Sequence, residues 1–522
     1  MSDLPNEPRA ASARRRQQML AAVEIVAIVG VFWLLAGWPP PDPNEAHYLG
    51  KAKHFWDPNW IPSDAFLDSH DTHLVFYVCG GWLTRWCSLA ATAWIGRFLC
   101  WTLLAIGWQR LSWALVPRPG WAVLTTALYA LLVEHFQMAG EWVVGGFEAK
   151  SIAYGLIFLG LAELAKGNWR SVWPWLGAAA SFHVLAGGWT VIAASVAWLL
   201  IGREQLRLRS MLPWMLAGGV LALPGLLPAL EVGRGISPQV VAAADEIYVF
   251  RRLYHHTWPP AFNRWFIERH ALEFLLWVAL CALYRPSPGE ARIRGVVAGA
   301  MLISAVGLLL AFVLRDHPAE AAGVLRFYWF RLGDALLPLG VSVAIVSWLA
   351  AAMHNRPRTA RWLVATLLVA EVSALAMYLP ARLRSEVPRA DARGKVLDYG
   401  DWRAACGWIA ANTPATARFL TPRASQTFKW YAGRSEVATW KDMPQKPEEI
   451  VEWWQRLERV YATGKSPPND AWYGSLSDEP VARLHRVGKR YDADYLLTDV
   501  EPRLALPVLY QNNSYAVYRL TP

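Results

Sequence analysis

The sequence predicts a mainly α fold: a polytopic transmembrane helical bundle of about 11 spans with juxtamembrane helices, carrying a C-terminal extracytoplasmic α/β domain. Three observations lead there. Only 18% of the 522 residues are charged and 55% are hydrophobic, where ordinary soluble domains carry roughly 25% charged residues. The 31 tryptophans suit the two membrane–water interfaces, which indole rings favour. Near Ser385 the long apolar runs stop and short alternating helix and strand patterns begin.

Residues 1–18 read as a polar cytoplasmic tail ending in Arg14-Arg15-Arg16. The apolar run from about Met19 to Trp38 is long enough to span. It has a signal-peptide-like basic flank but no small-x-small cleavage site, so a retained helix is expected. Residues 19–384 then form the membrane domain, with a large first outer loop over 39–93. Within that loop, Leu74–Leu89 is apolar but short and contains Arg85. It is expected to lie at the surface as a juxtamembrane or re-entrant helix. Only then do Arg118, Lys166/Arg170, Arg203–Arg209, Arg285–Arg294 and His354–Arg361 share one, cytoplasmic, side.

The remaining spans fall at about 94–116, 121–138, 150–166, 172–187, 188–202, 212–230, 271–285, 295–314, 332–352 and 362–380. The boundary near Leu185-Ala186-Gly187-Gly188 demands a tight turn. An odd count places residues 385–522 outside, opposite the N-terminus. From Asp391 onward the charge balance is +2, leaving +8 of the total +10 in the membrane portion. That distribution fits positive-inside loops and not a nucleic-acid surface. The five cysteines show no paired spacing, so no disulfide framework is implied.

In the tail, Asp401–Pro414 has helical periodicity and an Asp cap, and ARFLTP reads as a strand. EPVARLHRVGKRYDADYLLTD reads as helix then strand, and LPVLYQNNSYAVYRL as a hairpin around Asn512-Asn513. Glycine-rich phosphate loops and nucleophile elbows are lacking there.

The candidate chemistry lies in the outer loops. Pro39–His73 carries Glu45, His47, Asp64, Asp68, Asp71 and three further histidines. Glu45, just beyond a stiff triple proline, is the candidate general base for a hydroxyl arriving from the aqueous side; the bland alternative is a solvated loop acid. His47 and the acids of SDAFLDSHDTH could contact substrate or hold a divalent metal, Mg²⁺ or Mn²⁺. Asp64 to Asp71 could equally cap the following helix. Glu141, Glu148 and Lys150 sit at helix ends in a second outer loop, Lys150 having also the form of a snorkelling interfacial lysine. His183 lies in an apolar segment, where an ionisable group is either functional or a neutral, hydrogen-bonded helix contact. Arg326 and Arg331 flank an aromatic FYWF, and Arg251, Arg252, His255 and His256 form a second basic cluster. Both suit a phosphate, and both equally suit an interfacial anchor.

The ensemble resembles the C-type superfamily of integral-membrane glycosyltransferases. The likeness rests on a first span followed by Asn44-Glu45-Ala46-His47-Tyr48, a juxtamembrane helix, a second acidic loop from Glu141 to Lys150, many spans and an outward tail. GWIAANTPATARFLTP is similar to the start of the exported domain in such proteins, and WKDMPQ to a segment of an uncharacterised bacterial subgroup. The resemblance implies transfer of a sugar from a polyprenyl-phosphate donor to an acceptor at the outer face of a bacterial inner membrane. It implies Glu45 as base or acceptor-positioning acid, Glu141 or Glu148 as the second-loop acid, and Arg326 or Arg331 against the lipid phosphate. One departure stands out: the family's motif is more often a pair of acids, and here Asn44 precedes Glu45. A membrane transporter and a non-enzymatic envelope scaffold or sensor are the competing readings; transporters usually place charge at mid-bilayer in repeated halves.

Overall fold

The computed structural model describes residues 7–464 and 472–520. Eleven helices fall at the eleven places where the sequence predicts spans. Seven of them are long and apolar enough to cross a membrane: Arg14–Ala36, Leu89–Leu115, Val184–Gly202, Leu208–Glu231, Pro288–Val313, Arg331–Asn355 and Pro357–Arg384. The other four, Trp121–Phe136, Ala149–Lys166, Trp169–Phe182 and Arg264–Leu283, are shorter or less apolar. Three of these four pack into the centre of the bundle core, which contains Tyr129, Ile157, Phe158, Val172 and Leu176. Their burial against protein explains why they need no long lipid-facing run.

Two boundaries differ from expectation. The break expected at Leu185–Gly188 lies at His183, whose backbone is extended (φ −143°, ψ 98°). Its Nδ1 accepts from the Ala186 N–H at 3.1 Å, so the imidazole caps the Val184–Ala197 helix and no glycine turn is needed. The Pro39–His73 stretch is not simply a loop: Glu45–Trp56 is a helix. Leu49 and Ala52 are fully buried on it and cluster with Phe76 and Tyr77, and Glu45 in the first turn suits the helix dipole. Leu74–Leu89 does not span, being divided into a six-residue helix, Leu74–Cys79, and a 3₁₀ turn, Gly81–Arg85.

Several basic loops expected on one side do meet. Arg292 donates to the Leu164 and Ala165 carbonyls at 2.8 Å each and reaches Gln205. Arg14, Arg110 and Lys166 line one cleft at the same end.

The C-terminal region forms a five-stranded sheet: β1 Arg418–Leu420, β2 Ser435–Glu436, β3 Tyr495–Asp499, β4 Val508–Gln511 and β5 Tyr515–Arg519. The order is β2-β1-β3-β5-β4, parallel on the β2-β1-β3 side and antiparallel from β3 to β4. The β4–β5 hairpin turns at Asn512, whose Oδ1 accepts from the Ser514 and Tyr515 N–H groups. The first helix of this region, Tyr399–Asn412, is capped by Asp398 through the Asp401 N–H at 2.8 Å, three residues before Asp401. The sheet region shares a hydrophobic core with the bundle: Trp453 and Leu457 pack with Val249, Ala321 and Leu325. The two parts are therefore docked through apolar contact and not merely linked.

Candidate functional site

Where the bundle meets the sheet region lies a cavity of about 660 Å³. Its wall is assembled from seven separate stretches of chain. Asn44, His47 and Tyr48 come from the Glu45–Trp56 helix and its start; Trp142, Glu148 and Lys150 come from the second loop; His183 comes from the helix break. Tyr248, Arg252, His255, His256, Tyr328 and Arg331 come from the later loops, and Lys395, Trp440 and Lys441 from the C-terminal region.

Among the described residues, Glu148 is the one acidic side chain in that wall. It precedes the Ala149–Lys166 helix, accepting from Asn44 Nδ2 at 2.7 Å and from Trp142 Nε1 at 3.0 Å. Lys150 Nζ lies 3.9 Å from Glu148 and 3.4 Å from Glu141, over the Trp142 ring. Glu141 stands behind the wall in an adjoining cleft, 3.4 Å from Arg331 Nε. Arg331 stacks on Tyr328 at 3.8 Å from the ring centre.

The loop from Gln137 to Glu141 is shaped by Asp334, which accepts from the Met138, Ala139 and Glu141 N–H groups. Gly140 has φ +76°, and a Cβ there would stand 2.7 Å from the His256 ring, so only glycine lets that loop pass His256.

The cations dominate the field. Arg252 donates to the Trp440 carbonyl at 2.8 Å and lies against its ring. Lys441 donates to Asn44 Oδ1 at 2.6 Å. Burial, with Arg252 and Lys395 nearby, pushes the Lys441 ammonium down to about 7. Burial and Arg252 push His255 down to about 4. Five Lys and Arg side chains against a single wall carboxylate make a pocket that favours an anion.

His47, Glu148, Lys150, His183 and Arg331 are thus brought together as a group, and Glu141 backs them. Arg252, His255 and His256 join them from the second basic cluster. The other candidates stand outside the cavity wall. Glu45 is fully buried and does not reach the cavity. Its carboxylate accepts from Arg97 Nε at 2.6 Å, Arg97 Nη2 at 2.5 Å, the Asp42 N–H at 2.7 Å and the Phe147 N–H at 2.7 Å. An acid so fully bonded, sealed behind a paired guanidinium, is out of reach of a substrate hydroxyl.

Asp64 is also fully buried. It accepts from the Phe66 and Leu67 N–H groups, the Glu436 N–H and the Ser435 hydroxyl, tying the first loop to β2. Asp68 pairs with His54 at 2.8 Å and Asp71 with Lys51 at 3.2 Å. None of the three caps the Leu74–Cys79 helix, which has no side-chain cap. Nor do they converge as metal ligands: among the described residues no group of three or more His, Cys, Asp or Glu is placed to hold a metal ion. Arg326 is bound by Asp245 and lies outside the cavity wall.

Lys395, Trp440 and Lys441 were not marked by the sequence as site residues. The only signal was the WKDMPQ segment, which contains two of them.

Fold and cavity together define a helical membrane protein whose anion-favouring pocket is closed on one side by a small sheet domain. The family described as Domain of unknown function (DUF6798) matches residues 400–460, the stretch that contributes Trp440 and Lys441. No curated protein matches. Among solved structures, the chain is similar to ArnT from Cupriavidus metallidurans in the apo state, at 13% identity over 98% of both chains. The TM-score is 0.38, too low for that likeness to decide the chemistry.

Proposed function

We propose that this protein is a membrane glycosyltransferase that takes a sugar from a polyprenyl-phosphate donor, at the face of the membrane that carries the C-terminal domain. The observation that supports the reading is the convergence of Lys150, Arg252, Arg331 and Lys441 around the cavity-lining carboxylate of Glu148, at the end of a membrane bundle. In the reaction, an acceptor hydroxyl attacks the anomeric carbon and the bond from that carbon to the phosphate oxygen breaks. The electron pair leaves with the lipid phosphate, whose added charge is stabilised by the guanidinium and ammonium groups. The hydroxyl proton passes to Glu148, which is held in place by Asn44 and Trp142. The base expected at Glu45 thereby moves to Glu148, on the second loop.

Transfer from a labelled polyprenyl-phosphate sugar, measured in membranes, tests this. Glu148→Gln should lose at least roughly a hundredfold in rate while still binding the donor. Undiminished transfer by that variant, or a wild-type protein that binds no lipid phosphate, would overturn it.

A further inference from the structure

A second cavity, of about 220 Å³, lies between the first loop and the Pro447–Tyr461 helix. Its charge is opposite to that of the first. Asp68, Glu436, Asp442, Glu449 and Glu452 line it, with Lys429 and Arg456 the only Lys or Arg among the described residues of its wall. Lys429 already serves Glu436 and Asp442, at 2.6 Å each, and also faces Asp64 at 3.6 Å. Arg456 serves Glu452 at 2.5 Å. Asp68 meets His54 at 2.8 Å and Glu449 accepts from the His70 N–H at 3.0 Å, yet around the space carboxylates still outnumber Lys and Arg by five to two among the described residues.

An independent feature points to a ligand. Thr439 lines this cavity, is 1% exposed, and its hydroxyl has no hydrogen-bond partner. A buried hydroxyl left unsatisfied costs stability, and it is the kind of group that a bound polar molecule would complete. Trp453 adds an aromatic wall, its own N–H being used by the Thr439 carbonyl at 2.9 Å. Such a wall suits the face of a small ring or an ammonium.

The two cavities are neighbours. His47 lines the first and Asp442 the second, and these side chains meet at 3.4 Å. One His–Asp contact therefore separates an anion-favouring space from a cation-favouring one.

We infer that the second cavity is the acceptor pocket and that it takes a compact, hydroxylated amine. The inference rests on the transferase reading given above. The carboxylates hold the ammonium, Thr439 takes a hydroxyl, and the acceptor lies across the His47–Asp442 contact from the donor cavity.

The test is calorimetric titration of the detergent-solubilised full chain, without lipid, using glucosamine and its uncharged counterpart glucose. Glucosamine should bind at one site and glucose at least about tenfold more weakly, as loss of a charge-assisted contact implies. The Glu449→Gln/Glu452→Gln double variant should weaken glucosamine about tenfold. Thr439→Val should weaken it roughly threefold or more, yet leave the ligand-free protein at least as heat-stable, because an unsatisfied hydroxyl has been removed. Equal binding of both sugars, or glucosamine binding unchanged in both variants, would overturn the inference. A wild-type chain that transfers sugar but does not bind glucosamine overturns the acceptor pocket alone. Site-specific glucosamine binding by a chain that never transfers sugar overturns the transferase reading and leaves the amine site standing.

Discussion

Glu45 and Arg97 form a two-point ion pair with no solvent exposure on either side chain, with contacts of 2.6 and 2.5 Å. The pair clamps the start of the Glu45–Trp56 helix to the Leu89–Leu115 helix. Close approach by Gly146, where a Cβ would stand 2.8 Å from the Glu45 carboxyl carbon, lets the second loop close over it. The same pair therefore fixes the geometry of both loops that feed the cavity.

Removing one partner of such a pair leaves a buried charge without compensation, at a cost of about 3–5 kcal/mol. Glu45→Ala should accordingly lower the thermal midpoint and yield of the solubilised protein. A Glu45→Met/Arg97→Met double variant should recover most of that loss. A Glu45→Ala protein with an unchanged midpoint and abolished transfer would restore Glu45 as the base.

On the transferase reading, Lys441 should make donor binding depend on pH. Its folded-state pKa of about 7 lies below the unfolded value near 10.4, so the folded state binds fewer protons between those limits. Stability should be level below about pH 7 and rise with pH from about 7 toward about 10, and Lys441→Met should flatten that slope. A phosphodiester donor keeps its charge over this range, so its affinity should be at least about fivefold tighter at pH 6 than at pH 9. Direct binding measurements on wild type and Lys441→Met at both pH values check this; a variant with the same ratio as wild type refutes it.

Lys429 sits among three buried carboxylates, Asp64, Glu436 and Asp442, and so joins the first loop to the sheet domain. Lys429→Met should cost about 3–5 kcal/mol and loosen that junction. Hydrogen exchange should then quicken in residues 60–72 and in β2, with the Leu89–Leu115 helix unaffected.

Asn44 bridges Lys441 and Glu148, at 2.6 and 2.7 Å. Asn44→Asp would place a second carboxylate beside Glu148, and like charges that close share a proton. The acid limb of the pH–transfer profile should shift upward by about one unit or more, whereas Asn44→Ala should lower the rate without that shift. An unmoved profile in Asn44→Asp would separate Asn44 from Glu148 function.

Much of the site was legible because the membrane imposes strong rules. Charges at the ends of the apolar runs were few enough that Glu148, Lys150, Arg331, Arg252 and His47 stood out as candidates, although an interfacial anchor accounted equally well for Lys150 and the arginines. Glu45 stood out for the same reason. Its partner Arg97 lies inside an apolar helix 52 positions away, and no local pattern reveals that one residue neutralises the other. Asp64, Asp68 and Asp71 likewise looked like one cluster in sequence, but their carboxylates are divided between β2, His54 and Lys51.

The sequence by itself determined the helical bundle, the helix–strand alternation of the tail and the basic loops that share one end. Those features follow from local periodicity, apolar length and charge, each readable within a window of about twenty residues. Only the tertiary structure decided which acid faces the cavity and which is sealed away. It also brought Lys395, Trp440 and Lys441 from the far end of the chain to close the pocket. Burial and pairing depend on neighbours hundreds of positions apart, and a carboxylate's chemistry is set by those neighbours.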